Sequence, residues 1–232
     1  MITAFNKIIL PVILSSFTCL IANQTAFATK SSSEYRLLGL QYRQQGNYNE
    51  AIAAMKKSVE LEPENISGRV NLGWTLHLAG KEGEAAKSLG QAIYQKPSFV
   101  PAYNALGIVY LVDGNLPAAA LIHTWAAFLK PDNEIAFYNL SLTLHQLEIY
   151  PLAITTANRA AKLEPNNPHP LVAAAISYWD SDDKTLAKQV YRQAINLDAR
   201  YTQITFLNHL KKAAFTQQQI NKTKEILSNL KY

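Results

Sequence analysis

The sequence repeats itself every 34 residues, and few folds satisfy that constraint. Alanine recurs at Ala51, Ala85, Ala119, Ala153 and Ala187. A second small residue follows seven positions after each, at Ser58, Ala92, Ala126, Ala160 and Ala194. Leucine followed by a small residue recurs as Leu38-Gly39, Leu72-Gly73, Leu106-Gly107 and Leu140-Ser141, and weakens to Ala174-Ala175. Proline closes the units at Pro63, Pro97, Pro131 and Pro165, with Ala199 in the fifth slot. In the first unit Leu38, Tyr42, Ala51, Ile52, Met55, Val59 and Leu61 fall at helical spacing and predict one buried stripe on each of two helices. Gly46-Asn47 predicts a tight turn between them, and Pro63 stops the second helix because it lacks an amide hydrogen. Two such helices cross at close range only where side chains are small, since larger ones wedge them apart.

The interval and the Leu-Gly, Ala and Pro spacing resemble the tetratricopeptide repeat. The resemblance covers residues 32–201 as five units, 32–65, 66–99, 100–133, 134–167 and 168–201. It implies an all-α fold, a right-handed α-solenoid of tandem helix-turn-helix units, each burying its apolar face against its neighbours. The later units depart from the pattern. In unit four Glu148 replaces the turn glycine and Pro151 starts the second helix, and in unit five Ala175 and Asp182 stand in glycine slots.

The flanks differ in kind. Met1 to Lys7 carries a single positive charge, Ile8 to Ala22 is mostly apolar, and Ala26-Phe27-Ala28 is a small-x-small pattern. Residues 1–28 therefore read as a secretory signal peptide, with a signal anchor as the alternative, although the apolar run is shorter than the about 20 residues a bilayer needs. Residues 29–31 read as a linker. Cleavage would remove Cys19, the only cysteine, and with it every route to disulfides, thiolate catalysis or cysteine metal sites. The expected destination is the periplasm, the cell surface or the thylakoid lumen of a bacterium. Residues 202–232 are expected to form basic capping helices, Ile204–Ala214 and Gln217–Leu230, over the end of unit five. Charge is balanced through the repeats, whereas residues 201–232 hold five lysines against Glu225 alone. Lys211, Lys212, Lys222 and Lys224 would present a basic face to an anionic membrane surface or an acidic partner. No nucleic acid partner is expected.

The resemblance also implies a ligand groove on the concave surface lined by each unit's first helix. Position by position, its residues are Arg36 and Arg43, then Val70, Asn71, Trp74, His77 and Leu78, then Asn104, Ile108 and Val112. Unit four contributes Tyr138, Asn139, Leu142 and His145, and unit five Val172, Ile176 and Trp179. The apolar and aromatic middle of this set calls for a partner with hydrophobic side chains. For Trp74, Leu78 or Ile108 singly, packing between units is the competing role. Catalytic groups are scarce. His77 and His145 share a repeat position two units apart, too far to ligate one metal, and His123 is expected to be a satisfied core histidine. Asp180, Asp182 and Asp183 lack the spacing of a calcium loop, and no phosphate loop or nucleophile elbow is present. The expectation is a non-enzymatic scaffold without metal or cofactor that holds a protein segment and helps assemble or stabilise an envelope or lumenal complex. The alternative is a membrane-anchored assembly factor, for example of a photosynthetic complex, using an uncleaved N-terminus and the basic cap.

Overall fold

A computed structural model describes residues 30–230, so the expected signal segment, 1–28, lies outside the described residues. Five helical hairpins follow one another: α1 (Ser32–Gln44) with α2 (Tyr48–Leu61), α3 (Ile66–Leu78) with α4 (Glu82–Gln95), α5 (Val100–Val112) with α6 (Leu116–Leu129), α7 (Glu134–Gln146) with α8 (Tyr150–Leu163), and α9 (Pro168–Asp180) with α10 (Lys184–Leu197). Two 3-10 turns, Ala199–Thr202 and Phe206–Ala213, lead into α11 (Gln217–Asn229), and no strand occurs among the described residues. Four of the five first helices are opened by polar caps, and α5 follows Phe99 with Pro101 in its first turn instead. Ser31 accepts from the Glu34 amide while the Glu34 carboxylate accepts from the Ser31 amide, a closed capping box. Asn65, Asn133 and Asn167 cap α3, α7 and α9 from equivalent positions.

Close crossing within each hairpin rests on the small residues. The five periodic alanines are fully buried. Gly39 and Gly73 lie directly against Met55 and Leu89, where an added Cβ would come within 2.9 Å of Met55 Cγ and 2.6 Å of Leu89 Cγ. Gly107 is covered by the ring of His123 in the same way. In unit four both equivalent positions are small, Ser141 and Ala157, so volume is traded across the crossing rather than lost. Leu61, expected in the buried stripe, is instead exposed at the end of α2.

The turns keep a left-handed residue at the same place in every unit. Gly46, Gly80 and Gly114 sit at φ 79°, 72° and 80°, and Glu148 and Asp182, which replace the glycine, are held at φ 60° and 71°. A side chain in that region costs about 1–2 kcal/mol that glycine avoids.

His123 is buried as expected but is not satisfied, since neither ring nitrogen has a hydrogen-bond partner. Burial lowers its pKa to about 3, opposed only by the neighbouring Gly107 backbone. The reason is positional. The same slot holds Met55 in unit one and Leu89 in unit two, so the ring occupies an apolar socket built for a hydrocarbon.

The hairpins stack into a curved array. Helices α3, α5 and α7 each pack on the next first helix more closely than successive second helices do, so the first helices line the inside of the curve. The core has a body in units one to three around Leu72, Leu76, Leu89 and Val109, and a larger one in units four and five. The larger body includes Leu207, Leu210, Phe215, Ile220, Ile226 and Leu227 of the C-terminal segment. That segment differs from a plain end cap. It packs on α9 and α10 but also turns into the concave side, and its first part is 3-10 rather than α-helical, ending at left-handed Ala214 (φ 64°).

Two outcomes follow. Glu148→Gly should stabilise the array by about 1 kcal/mol in urea denaturation, by relieving the left-handed side chain. For His123 the folded pKa lies below the ordinary value near 6.5, so its contribution is complete above about pH 6.5 and is lost as pH falls toward 3, by about 1.4 kcal/mol per pH unit. His123→Leu, which restores the residue of unit two, should therefore reduce the difference in stability between pH 7 and pH 4.5 measured by urea denaturation.

Candidate functional site

The inner surface divides into an open part and a covered part. The open part is a cleft of about 500 Å³ formed by Trp74, His77 and Leu78 of α3, Ile108 and Val112 of α5, and Ile135, Tyr138 and Asn139 of α7. Its far wall is Lys211, Lys212, Ala213 and Ala214 of the C-terminal segment. These side chains meet because residues 34 apart occupy the same place on successive first helices. Leu78 and Val112 are 39% and 55% exposed, so the apolar lining is accessible. Trp74 is half-buried and also packs against the body of units one to three, so it carries both roles weighed for it. Val70 packs against the same body, and Asn71 and Ile108 are half-buried.

The covered part is the inner face of units four and five. Leu142, Val172 and Ile176 are fully buried, and His145 and Trp179 nearly so, while Asn139, also nearly buried, lies where the two parts meet. What covers them is the chain itself. The Tyr138 hydroxyl donates to the Ala213 carbonyl, and the Gln219 amide donates to the Leu142 carbonyl at 3.2 Å. Gln219 Nε2 also lies 3.2 Å from His145 Nδ1, and His145 Nε2 lies 3.2 Å from Asp180 Oδ2. Trp179 Nε1 donates to Glu225 at 3.0 Å, and Lys222 bridges Asp180 at 3.1 Å and Glu225 at 3.0 Å. Burial lowers the pKa of His145 despite the opposing charge of Asp180, and this favours the neutral ring that accepts from Gln219.

The polar members of the expected groove are mostly engaged. Asn104 exchanges hydrogen bonds with Asn133 at 2.8 and 3.2 Å, and Asn139 donates to the Ile135 carbonyl of its own helix. His77 Nδ1 lies 2.7 Å from Glu82 and its ring 5.0 Å from that of Trp74. At the N-terminal end Arg43 reaches Thr75 at 3.4 Å and Arg36 pairs loosely with Glu62 at 3.9 Å. The four C-terminal lysines do not share one free face. Lys222 is spent on Asp180 and Glu225, and Lys224 donates to Asn208 at 2.8 Å, whereas Lys211 and Lys212 stand exposed at the cleft. Among the described residues no group of His, Cys, Asp or Glu is placed to hold a metal ion. Reading by first-helix position missed Ile135 and the C-terminal wall. Ile135 shares its slot with Ser33, Ser67 and Pro101, so the position reads as apolar only in unit four, and the wall belongs to no repeat.

Three family profiles described as tetratricopeptide repeat match residues 32–65, 104–168 and 169–201, together more than half of the chain. The TPR repeat-containing thioredoxin TTL4 of Arabidopsis thaliana is 32% identical over 90 residues, 39% of this chain and 13% of that protein. The BBSome complex member BBS4 of Bos taurus is 24% identical over 175 residues, 74% of this chain and 33% of that protein. The chain thus spans a third or less of the length of these curated relatives. Among solved structures, a MamA protein superposes with a TM-score of 0.64 at 21% identity, covering 73% of this chain and 92% of its own. MamA of Desulfovibrio magneticus RS-1 gives 0.66 at 18% over 74% and 97%, and pilF of Pseudomonas aeruginosa 0.66 at 18% over 86% and 90%. At these identities the structural likenesses speak for the fold, an all-α helical repeat. Helical hairpins stacked at a 34-residue interval, glycine or alanine at each crossing and matching family profiles make one conclusion: the chain belongs to the tetratricopeptide repeat family.

Proposed function

We propose that this repeat scaffold holds an apolar segment of a protein partner in the cleft of units two to four. The observation that carries the reading is that the continuation of the same groove already holds a polypeptide, its own C-terminal segment. That segment is gripped by apolar contacts around Phe215 and Ile220 and by side-chain hydrogen bonds between groove and segment, from Tyr138 to the Ala213 carbonyl and from Trp179 to Glu225. An incoming segment laid beside it would bury Leu78, Ile108, Val112 and Ile135 and meet Lys211 and Lys212 at the edge, so acidic residues flanking its apolar face suit the cleft. We place the protein outside the cytoplasm of a bacterium, on the apolar run and small-x-small pattern of its first 28 residues, where such a scaffold would help assemble or stabilise an envelope or lumenal complex. The scaffold role needs no chemistry from the chain, and the buried, hydrogen-bonded state of His145 and the socketed His123 suit packing rather than proton transfer.

A photoreactive amino acid at Val112, in the full chain expressed in its host, should crosslink a protein partner. Leu78→Asp should reduce that product severalfold while leaving helicity and melting temperature unchanged, because Leu78 is accessible and its loss opens no cavity. Undiminished crosslinking would remove the cleft from the reading. The self-occupied part is tested separately. Tyr138→Phe should cost about 0.5–1.5 kcal/mol of stability and speed amide exchange in residues 206–214, since it deletes the hydrogen bond to Ala213.

A further inference from the structure

We propose that the outer face of unit three is a docking surface for an anionic lipid bilayer. The second helix of every other unit carries charged residues, but α6, Leu116–Leu129, carries none. On its outer side Leu121, Trp125 and Phe128 are 67%, 48% and 73% exposed, with the two rings 5.5 Å apart. The equivalent positions in unit one are Ala53, Lys57 and Glu60, and in unit five Gln189, Gln193 and Asn196, so the apolar triplet is particular to the middle of the array.

The flanks supply charge of one sign. One unit toward the C-terminus the same positions hold Thr155, Arg159 and Lys162, and one unit toward the N-terminus they hold Lys87 and Tyr94, all exposed. Among the described residues none of these three cations pairs with a carboxylate. Arg159 donates to the Pro131 carbonyl and lies over the Phe137 ring, which leaves its charge unneutralised. Trp, Phe and Tyr rimmed by Lys and Arg is the composition that partitions into the headgroup region of an acidic bilayer.

Shape and area favour a plane over a second copy of the chain. The second helices lie on the outside of the curve, and unit three is its middle, so a flat surface touches the array there first. A fully buried aromatic side chain covers about 150–250 Å². Three side chains already part covered therefore offer a few hundred Å², short of the about 800 Å² per partner of a stable protein interface. A peripheral attachment has no such threshold, because each ring partitions independently. No described helix is long and apolar enough to cross a membrane, so contact of this face would be tangential.

The test compares the full chain with its Trp125→Phe variant, using vesicles of phosphatidylglycerol and phosphatidylcholine with brominated acyl chains, which quench tryptophan only on contact. Trp125 is exposed, so the substitution leaves the fold intact, and the difference between the two chains reports that face whatever else holds the protein at the membrane. The expected result is severalfold stronger quenching in the wild-type chain. Replacing Lys87, Arg159 and Lys162 by Gln should raise the half-saturating lipid concentration by roughly tenfold or more. Leu78→Asp in the cleft should change nothing, which separates this surface from the peptide site. Equal quenching in the two chains would overturn the proposal. So would a blue shift of Trp125 that grows with protein concentration without lipid, which would assign the face to a second copy.

Discussion

Close approach of two helices at a glycine or alanine is the constraint on which the array depends. A helical hairpin this short has no interior of its own, and its apolar stripes become a core only when the pair closes and the next pair stacks on it. The large residue that fills each crossing is therefore as specified as the small one that admits it. Met55, Leu89 and His123 each sit on a glycine, and where unit four widens the glycine to Ser141 the opposite position shrinks to Ala157. His123 marks how strict the geometry is, since the socket keeps even an imidazole out of reach of any hydrogen-bond partner.

Repetition made most of this legible. Helices α1, α3, α5, α7 and α9 begin at 32, 66, 100, 134 and 168, where the interval puts them, and the turn position keeps a positive φ even when its glycine is gone. What the interval could not supply is what lies outside it. After Tyr201 the pattern stops, and the burial of Leu142, Val172, Ile176 and Trp179 depends on residues as far off as Gln219, 77 positions from Leu142. Position on a first helix identifies which side chains face inward, but the far-off segment decides which of them meet solvent. The mismatch at His123 was invisible for a related reason, since its neighbours had to be seen before its nitrogens were known to be orphaned.

The two faces of the array therefore differ in composition. The inner face is apolar in its middle, around Trp74, Leu78, Ile108 and Val112, and its C-terminal end is already filled by the chain's own last segment. The outer face carries charged residues on every second helix but α6, where charge disappears from a whole helix. Nothing in the stacking requires Leu121, Trp125 or Phe128 there, because the other four units close their crossings with residues at the same outward positions that, Ala53 and Tyr94 apart, are polar.

The C-terminal segment also changes the mechanics of the molecule. A solenoid held only by contacts between adjacent units can peel from either end one unit at a time. Here Gln219 bonds α7 while Glu225 holds Trp179 of α9 and Lys222 holds Asp180, so a single strap spans units four and five and shares a core with both. Loosening the last hairpin would require releasing its neighbour as well. Opening at that end is therefore coupled over two units rather than one.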